Sequence, residues 1–165
     1  MAYGGTAAPA VDQARVAVDL SGRWVLDLED SDPISPLISL FGVDRATQAI
    51  AERTVVTQVV RHDGDTLYID FLSHWRDSTR EIPITGVLAE DEDPGGRKSL
   101  SRTNWGTGRQ SIVSRSQLTL SDKSSAEFVV TRTRPSSDTM LVTSVLTRGG
   151  SAPVSVRRVF RLKAS

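Results

Sequence analysis

Any chemistry in this chain must come from arginines, carboxylates and hydroxyls, because its 165 residues include no cysteine and only two histidines. Without thiols there is no disulfide, no cysteine nucleophile and no Cys-based zinc site. His74 falls on the polar parity of its segment and His62 stands beside a turn, so neither metal nor cofactor is expected. Serines are abundant, yet no Gly-x-Ser-x-Gly elbow occurs and neither histidine has an acidic partner at motif spacing. The reading is therefore a non-enzyme. The run Glu90-Asp91-Glu92-Asp93 reads as a solvated loop, since a calcium site would want more regular ligand spacing.

Two arginines carry more information. Side chains alternate across a strand, so parity sorts each segment into two faces. Near the C-terminus one face is Val154, Val156, Arg158, Phe160 and Leu162; the other is Ser155, Arg157, Val159 and Arg161. Over 125–134 the apolar face is Phe128, Val130 and Arg132. Each apolar set thus contains one arginine. A buried guanidinium without a partner costs several kcal/mol, and two in one interior repel unless an anion or ordered water lies between them. Pattern alone leaves open a rim position for either. Over 66–75 the inward set is Leu67, Ile69, Phe71, Ser73 and Trp75, which places His74 in solvent. The segment 109–119 is too polar on both faces to assign.

These residues need elements to hold them. Residues 1–19 read as a flexible extension, and order begins at the strand Ser21-Gly22-Arg23-Trp24-Val25-Leu26. Asp32-Pro33 reads as a helix start, followed by Ile34, Leu37, Ile38 and Phe41 on one helical face. Gly42 ends that helix, and Asp44 caps a second one running towards Glu52. From Val55 onward strand signals dominate, with Asp63-Gly64 as a hairpin turn. About ten strands follow at the spacing of an all-β barrel. Tight turns imply antiparallel, up-and-down neighbours. At about eight strands side chains just fill a barrel, so ten imply a lumen.

Composition removes other classes. Twenty basic residues balance twenty acidic ones, which argues against a strongly basic nucleic-acid surface. No stretch approaches the roughly 18–20 apolar residues of a spanning helix. The opening Met-Ala-Tyr-Gly-Gly-Thr-Ala-Ala-Pro-Ala lacks a basic region and an apolar run, so no secretory signal is read and a cytoplasmic location is expected.

Gly22-Arg23-Trp24-Val25-Leu26, Phe41-Gly42-Val43-Asp44-Arg45-Ala46-Thr47, Asp63-Gly64-Asp65 and the closing Ser155-Val156-Arg157-Arg158-Val159-Phe160 together resemble the intracellular lipid-binding proteins. This is the fatty-acid-binding and cellular retinoid-binding group of the lipocalin-like calycin superfamily. The resemblance covers roughly residues 20–163. It implies a ten-stranded antiparallel up-and-down β-barrel over 20–165, capped by a helix-turn-helix lid. It further implies non-catalytic binding, buffering and transport of a long-chain fatty acid by a cytoplasmic monomer, with transient membrane contact and no nucleic acid. The family anchors a carboxylate with two arginines and a tyrosine. The arginines fall on Arg132 and Arg158, whereas the tyrosine falls on Phe160, which has no hydroxyl to donate. Phe71, Ser73 and Trp75 complete the expected ligand-binding set, Trp75 as the portal aromatic, with Leu37, Ile38 and Phe41 at the portal. The stretch 86–97 is longer than the family's, and the N-terminal extension is additional. Two other readings stand beside this one. A nitrobindin-like haem-binding barrel needs an inward histidine, and a ligand-free protein-interaction module needs a filled interior.

Overall fold

The computed structural model describes residues 16–74 and 76–164. Ten strands form one sheet, in the order β4-β3-β2-β1-β10-β9-β8-β7-β6-β5. Their ranges are β1 Gly22–Asp27, β2 Thr57–Asp63, β3 Thr66–Leu72, β4 Ser78–Pro83 and β5 Leu88–Glu92. The others are β6 Lys98–Trp105, β7 Ser111–Thr119, β8 Ser125–Ser136, β9 Thr139–Arg148 and β10 Val154–Lys163. Every hydrogen-bonded neighbour pair is antiparallel. The first and last strands join, so the sheet curls into a nearly closed barrel with one unpaired seam, between β4 and β5. The expected up-and-down barrel is the observed one.

Alternation builds the interior. Trp24 and Leu26 of β1 are buried between outward-facing neighbours, and β3 buries Leu67 and Ile69 in the same way. These join Leu20, Val60, Ile82, Ile112, Met140, Val142 and Phe160 in the larger apolar cluster. Gly22 has φ of 150° and a Cβ there would stand 2.6 Å from Leu162 Cδ1, so only glycine lets the chain enter β1 beside Trp24.

The helix pair sits between β1 and β2. The first helix, α1, spans Ser35–Ile38 and continues as a 3-10 turn over Ser39–Phe41. It ends at Gly42 in the left-handed conformation, φ 80°. The second, α2, spans Arg45–Arg53, and the Asp44 carboxylate accepts from the Thr47 N–H at 2.8 Å. Both ends follow the sequence reading. The start of α1 does not: Ile34 occupies the cap position and Pro36 the first turn. Asp32 instead turns to the barrel, its carboxylate accepting from the Arg157 N–H at 2.8 Å. Pairing with an edge of β10 outcompetes a helix only one turn long.

The acidic run also departs from expectation. Glu90, Asp91 and Glu92 lie in β5 rather than in a loop, and Asp93 is buried, accepting from the N–H groups of Gly95 and Arg97. Asp91 and Glu92 face cations across the seam: Arg80 reaches Asp91 at 2.6 Å and Arg76 reaches Glu92 at 2.9 Å. Alternating burial was masked there because the residues that face the seam are charged and paired.

At the barrel end near residue 20, Val18 donates its N–H to the Arg109 carbonyl at 2.9 Å and Leu20 is fully buried. The His62 imidazole is buried beneath this segment, stacked on Trp105 at 5.4 Å, and its Nδ1 accepts from the Leu20 N–H at 3.2 Å. No helix among the described residues is long and apolar enough to cross a membrane.

Candidate functional site

A cavity of about 340 Å³ opens inside the barrel below the helices. That is near the lower end of the roughly 300–1,000 Å³ of small-molecule sites. Its walls come from Leu26, Val56, Gln58, Val142, Arg158 and Phe160, and α2 roofs it with Thr47, Ile50 and Ala51. Most of this lining is apolar because inward positions of β1, β9 and β10 carry the core residues. Ser73 lines it as well, its hydroxyl donating to the Arg76 carbonyl at 2.9 Å.

Strand register decides how the two arginines relate. Arg132 pairs with Val142, and Val142 pairs with Arg158, so one inward row carries both guanidinium-bearing positions. Two strand spacings separate their backbones by roughly 10 Å. Their side chains then diverge. Arg158 is half-buried and lines the large cavity, with Nη1 donating to the Asp32 carbonyl at 2.9 Å. Burial lowers its pKa, while the nearby carboxylates of Glu52 and Asp32 favour the charged form.

Arg132 is 6% exposed and lines a second, smaller chamber of about 40 Å³ behind the seam. Ser114, Ser116, Phe128, Arg80 and Asp91 surround it. Burial pulls its pKa down to about 10, the Arg80 charge adds to that, and Asp91 opposes it. Asp91 is shared: it pairs with Arg80 and accepts from the Ser101 hydroxyl at 3.0 Å. Arg80 and Arg132 therefore share Asp91, while Glu92 and Asp93 in the same wall are engaged by Arg76 and by backbone N–H groups. Arg132 Nε makes no hydrogen bond, and with Gln58 Oε1 it is one of two such buried side-chain atoms among the described residues.

The inward serines of β7 explain why 109–119 resisted assignment. Ile112 and Leu118 pack in the core, whereas Ser114 and Ser116 face the Arg132 chamber between them. Both strand faces are polar because the interior is polar at that level.

Phe160 is 4% exposed and lines the large cavity, as Ser73 does. Phe71 packs on the edge of the larger cluster, with the Arg80 guanidinium 4.8 Å above its ring. Trp75 lies outside the described residues. Leu37 and Phe41 sit in a second apolar cluster with Phe128, Leu146 and Val156, and Ile38 is also buried. From the α1 segment Ile34 alone reaches the cavity wall, and the roof is α2, none of whose residues is buried. Sequence reasoning missed Gln58, Thr47, Ile50 and Ala51. Parity over β2 would have found Gln58, two residues before the buried Val60. His74 is exposed, and His62 lies at the opposite end beneath Leu20, outside the cavity lining.

No protein-family model matches the sequence, and no curated protein matches it. Solved structures do. A protein described as the REP1-NXSQ fatty acid transporter superposes with a TM-score of 0.71 at 17% identity, covering 90% of this chain and 99% of its own. The chain has the fold of the fatty-acid- and retinoid-binding proteins. A Schistosoma mansoni fatty acid binding protein in complex with arachidonic acid matches with a TM-score of 0.66 at 20% identity, covering 87% of this chain and 96% of that one. Human cRBP IV matches with a TM-score of 0.66 at 19% identity, over 88% of this chain and 99% of that one. At such identities the likeness concerns the barrel and its lid; the site rests on this chain's own residues.

Proposed function

We propose that this barrel binds a long-chain fatty acid or similar lipid and buffers or transports it without chemical conversion. The carrying observation is an apolar cavity under a loosely held helix, with Arg158 in its wall and a buried Arg132 whose Nε has no partner. The acyl chain occupies the large cavity with its carboxylate towards Arg158 in the wall, and Arg132, in the same inward row, supports the head from the adjoining chamber. The neighbours described as a fatty acid transporter and as an arachidonate complex support a lipid of this kind. Burial of each CH₂ contributes about 0.8 kcal/mol, so the chain supplies most of the affinity. The arginines orient the head and gain a compensating anion. Phe160 in the wall offers contact area and no hydrogen bond.

The protein acts in this reading as a soluble cytoplasmic monomer that releases its cargo on transient contact with a membrane. Leu37, Ile38 and Phe41 hold the fixed part of the lid. Native mass spectrometry of the protein from its own source is expected to show a co-purifying lipid. Arg158→Leu is expected to cut the preference for acids over alcohols of equal length by about tenfold or more, the scale of a charge-assisted hydrogen bond. Equal loss for both classes, or none, removes Arg158 from the anchor.

A further inference from the structure

Glu52 belongs to the last turn of α2 and stands just behind the cavity wall, which Ala51 and Thr54 on either side of it help to form. It is half-buried, and its Oε1 accepts from the Ser35 N–H at 2.6 Å, next to the lining residue Ile34. This fixes the carboxylate where the start of α1 meets the end of α2. Arg158 lines the cavity nearby, its Nη1 donating to the Asp32 carbonyl at 2.9 Å. Burial disfavours the Arg158 charge, and two carboxylates oppose that effect, Glu52 more strongly than Asp32. The Asp32 carboxylate is already turned to the Arg157 N–H. No cation lies within ion-pair distance of Glu52 among the described residues, so it acts on Arg158 through space rather than through a direct pair. The cations of α2 itself, Arg45 and Arg53, are exposed.

A guanidinium within the field of two carboxylates is not a bare cation. A ligand carboxylate arriving at Arg158 gains that charge but also meets the like charge of Glu52, whereas a neutral head meets neither effect. Building on the lipid-binding reading above, we infer that Glu52 is a positioning residue for the head group, its carboxylate competing with that of the ligand for the Arg158 guanidinium. The site therefore holds acids less tightly than its arginine alone would, which suits a carrier that must surrender its cargo. Burial of the acyl chain is the same for an acid and an alcohol of equal length, and Glu52 leaves it unaltered.

The experiment titrates palmitate and hexadecanol into the full chain and into Glu52→Gln and Glu52→Ala. Glutamine removes the charge and keeps an acceptor for the Ser35 N–H; alanine removes both. Glu52→Gln is expected to bind palmitate about three- to tenfold more tightly, the effect of removing one like charge from a half-exposed site, and to bind hexadecanol as before. The palmitate gain is expected to shrink at high salt, because screening weakens the repulsion it relieves. Glu52→Ala also frees the start of α1, so both probes should leave faster, with the same acid-to-alcohol affinity ratio as in Glu52→Gln. Equal shifts for the two probes in Glu52→Gln, an unchanged or lowered palmitate affinity, a gain that persists at high salt, or a ratio in Glu52→Ala equal to that of the unsubstituted chain each overturn the assignment. Binding of neither probe by the unsubstituted protein instead overturns the lipid-binding reading itself.

Discussion

Arg132 shows how a single residue can oppose stability and still fit a binding role. Its charge is surrounded by protein, with Arg80 against it and Asp91 already engaged. Burial lowers its pKa to about 10, which marks a cost for holding that charge inside. Replacing a buried ion by an apolar side chain of similar length often stabilises by about 1–4 kcal/mol. Arg132→Met is therefore expected to raise ligand-free stability by about 1–3 kcal/mol at neutral pH while weakening binding of acids. The sign with pH follows from the lowered value. Below about 10 both states carry the proton and the cost is complete; in the alkaline window above it the unfolded chain binds more protons, so the native protein gains stability as pH rises. The advantage of Arg132→Met should shrink across that window in denaturant titrations. A variant less stable at neutral pH would mean that Arg132 holds the barrel together.

Among the elements, the two helices differ in how they are held. α1 and its 3-10 turn bury Leu37, Ile38 and Phe41, and Arg97 donates to the Phe41 carbonyl at 3.4 Å. By contrast α2 has no fully buried residue, rests on the cavity through half-buried Thr47, Ile50 and Ala51, and is tied at its start by Asp44. Segments with few buried contacts open at the least free energy. Losing an N-cap costs about 1 kcal/mol, so Asp44→Ala should loosen α2 while leaving the barrel intact. The expected outcome is faster lipid entry and release in stopped-flow fluorescence and faster amide exchange over 45–53, with a nearly unchanged global unfolding midpoint. Unaltered exchange rates in that segment would place the gate elsewhere.

For the whole molecule, closure depends on charge where hydrogen bonding stops. β4 and β5 share no ladder, and Arg80–Asp91 and Arg76–Glu92 span the seam instead. Asp91→Asn would leave Arg80 and Arg132 facing each other without their anion. The pair is only half-buried, so the cost is expected below the roughly 3–5 kcal/mol of a fully buried one; the unfolding midpoint should fall, with partial recovery in Asp91→Asn combined with Arg132→Met. A small change in the single variant would show that water screens the seam. Much of this architecture was legible beforehand. Alternating Trp24/Leu26, Leu67/Ile69 and Val156/Phe160, the Asp63-Gly64 turn, the Gly42 stop and the Asp44 cap are local signals, each decided by residues close in the chain. Parity put Arg132 and Arg158 on apolar faces, with a rim position left open for either. Other features depend on partners far away in sequence. Asp32 left its helix for β10, Asp91 found its partner Arg80 across the seam, and Ser114 and Ser116 faced inward because Arg132 makes that level polar. Sequence alone therefore determined the barrel and its lid, since periodicity and turn chemistry are local. Only the tertiary structure decided that the two guanidinium groups open into separate chambers and that Gln58 Oε1 is buried unpaired in the wall of the larger one, because side-chain direction inside a closed barrel is set by neighbours across the lumen.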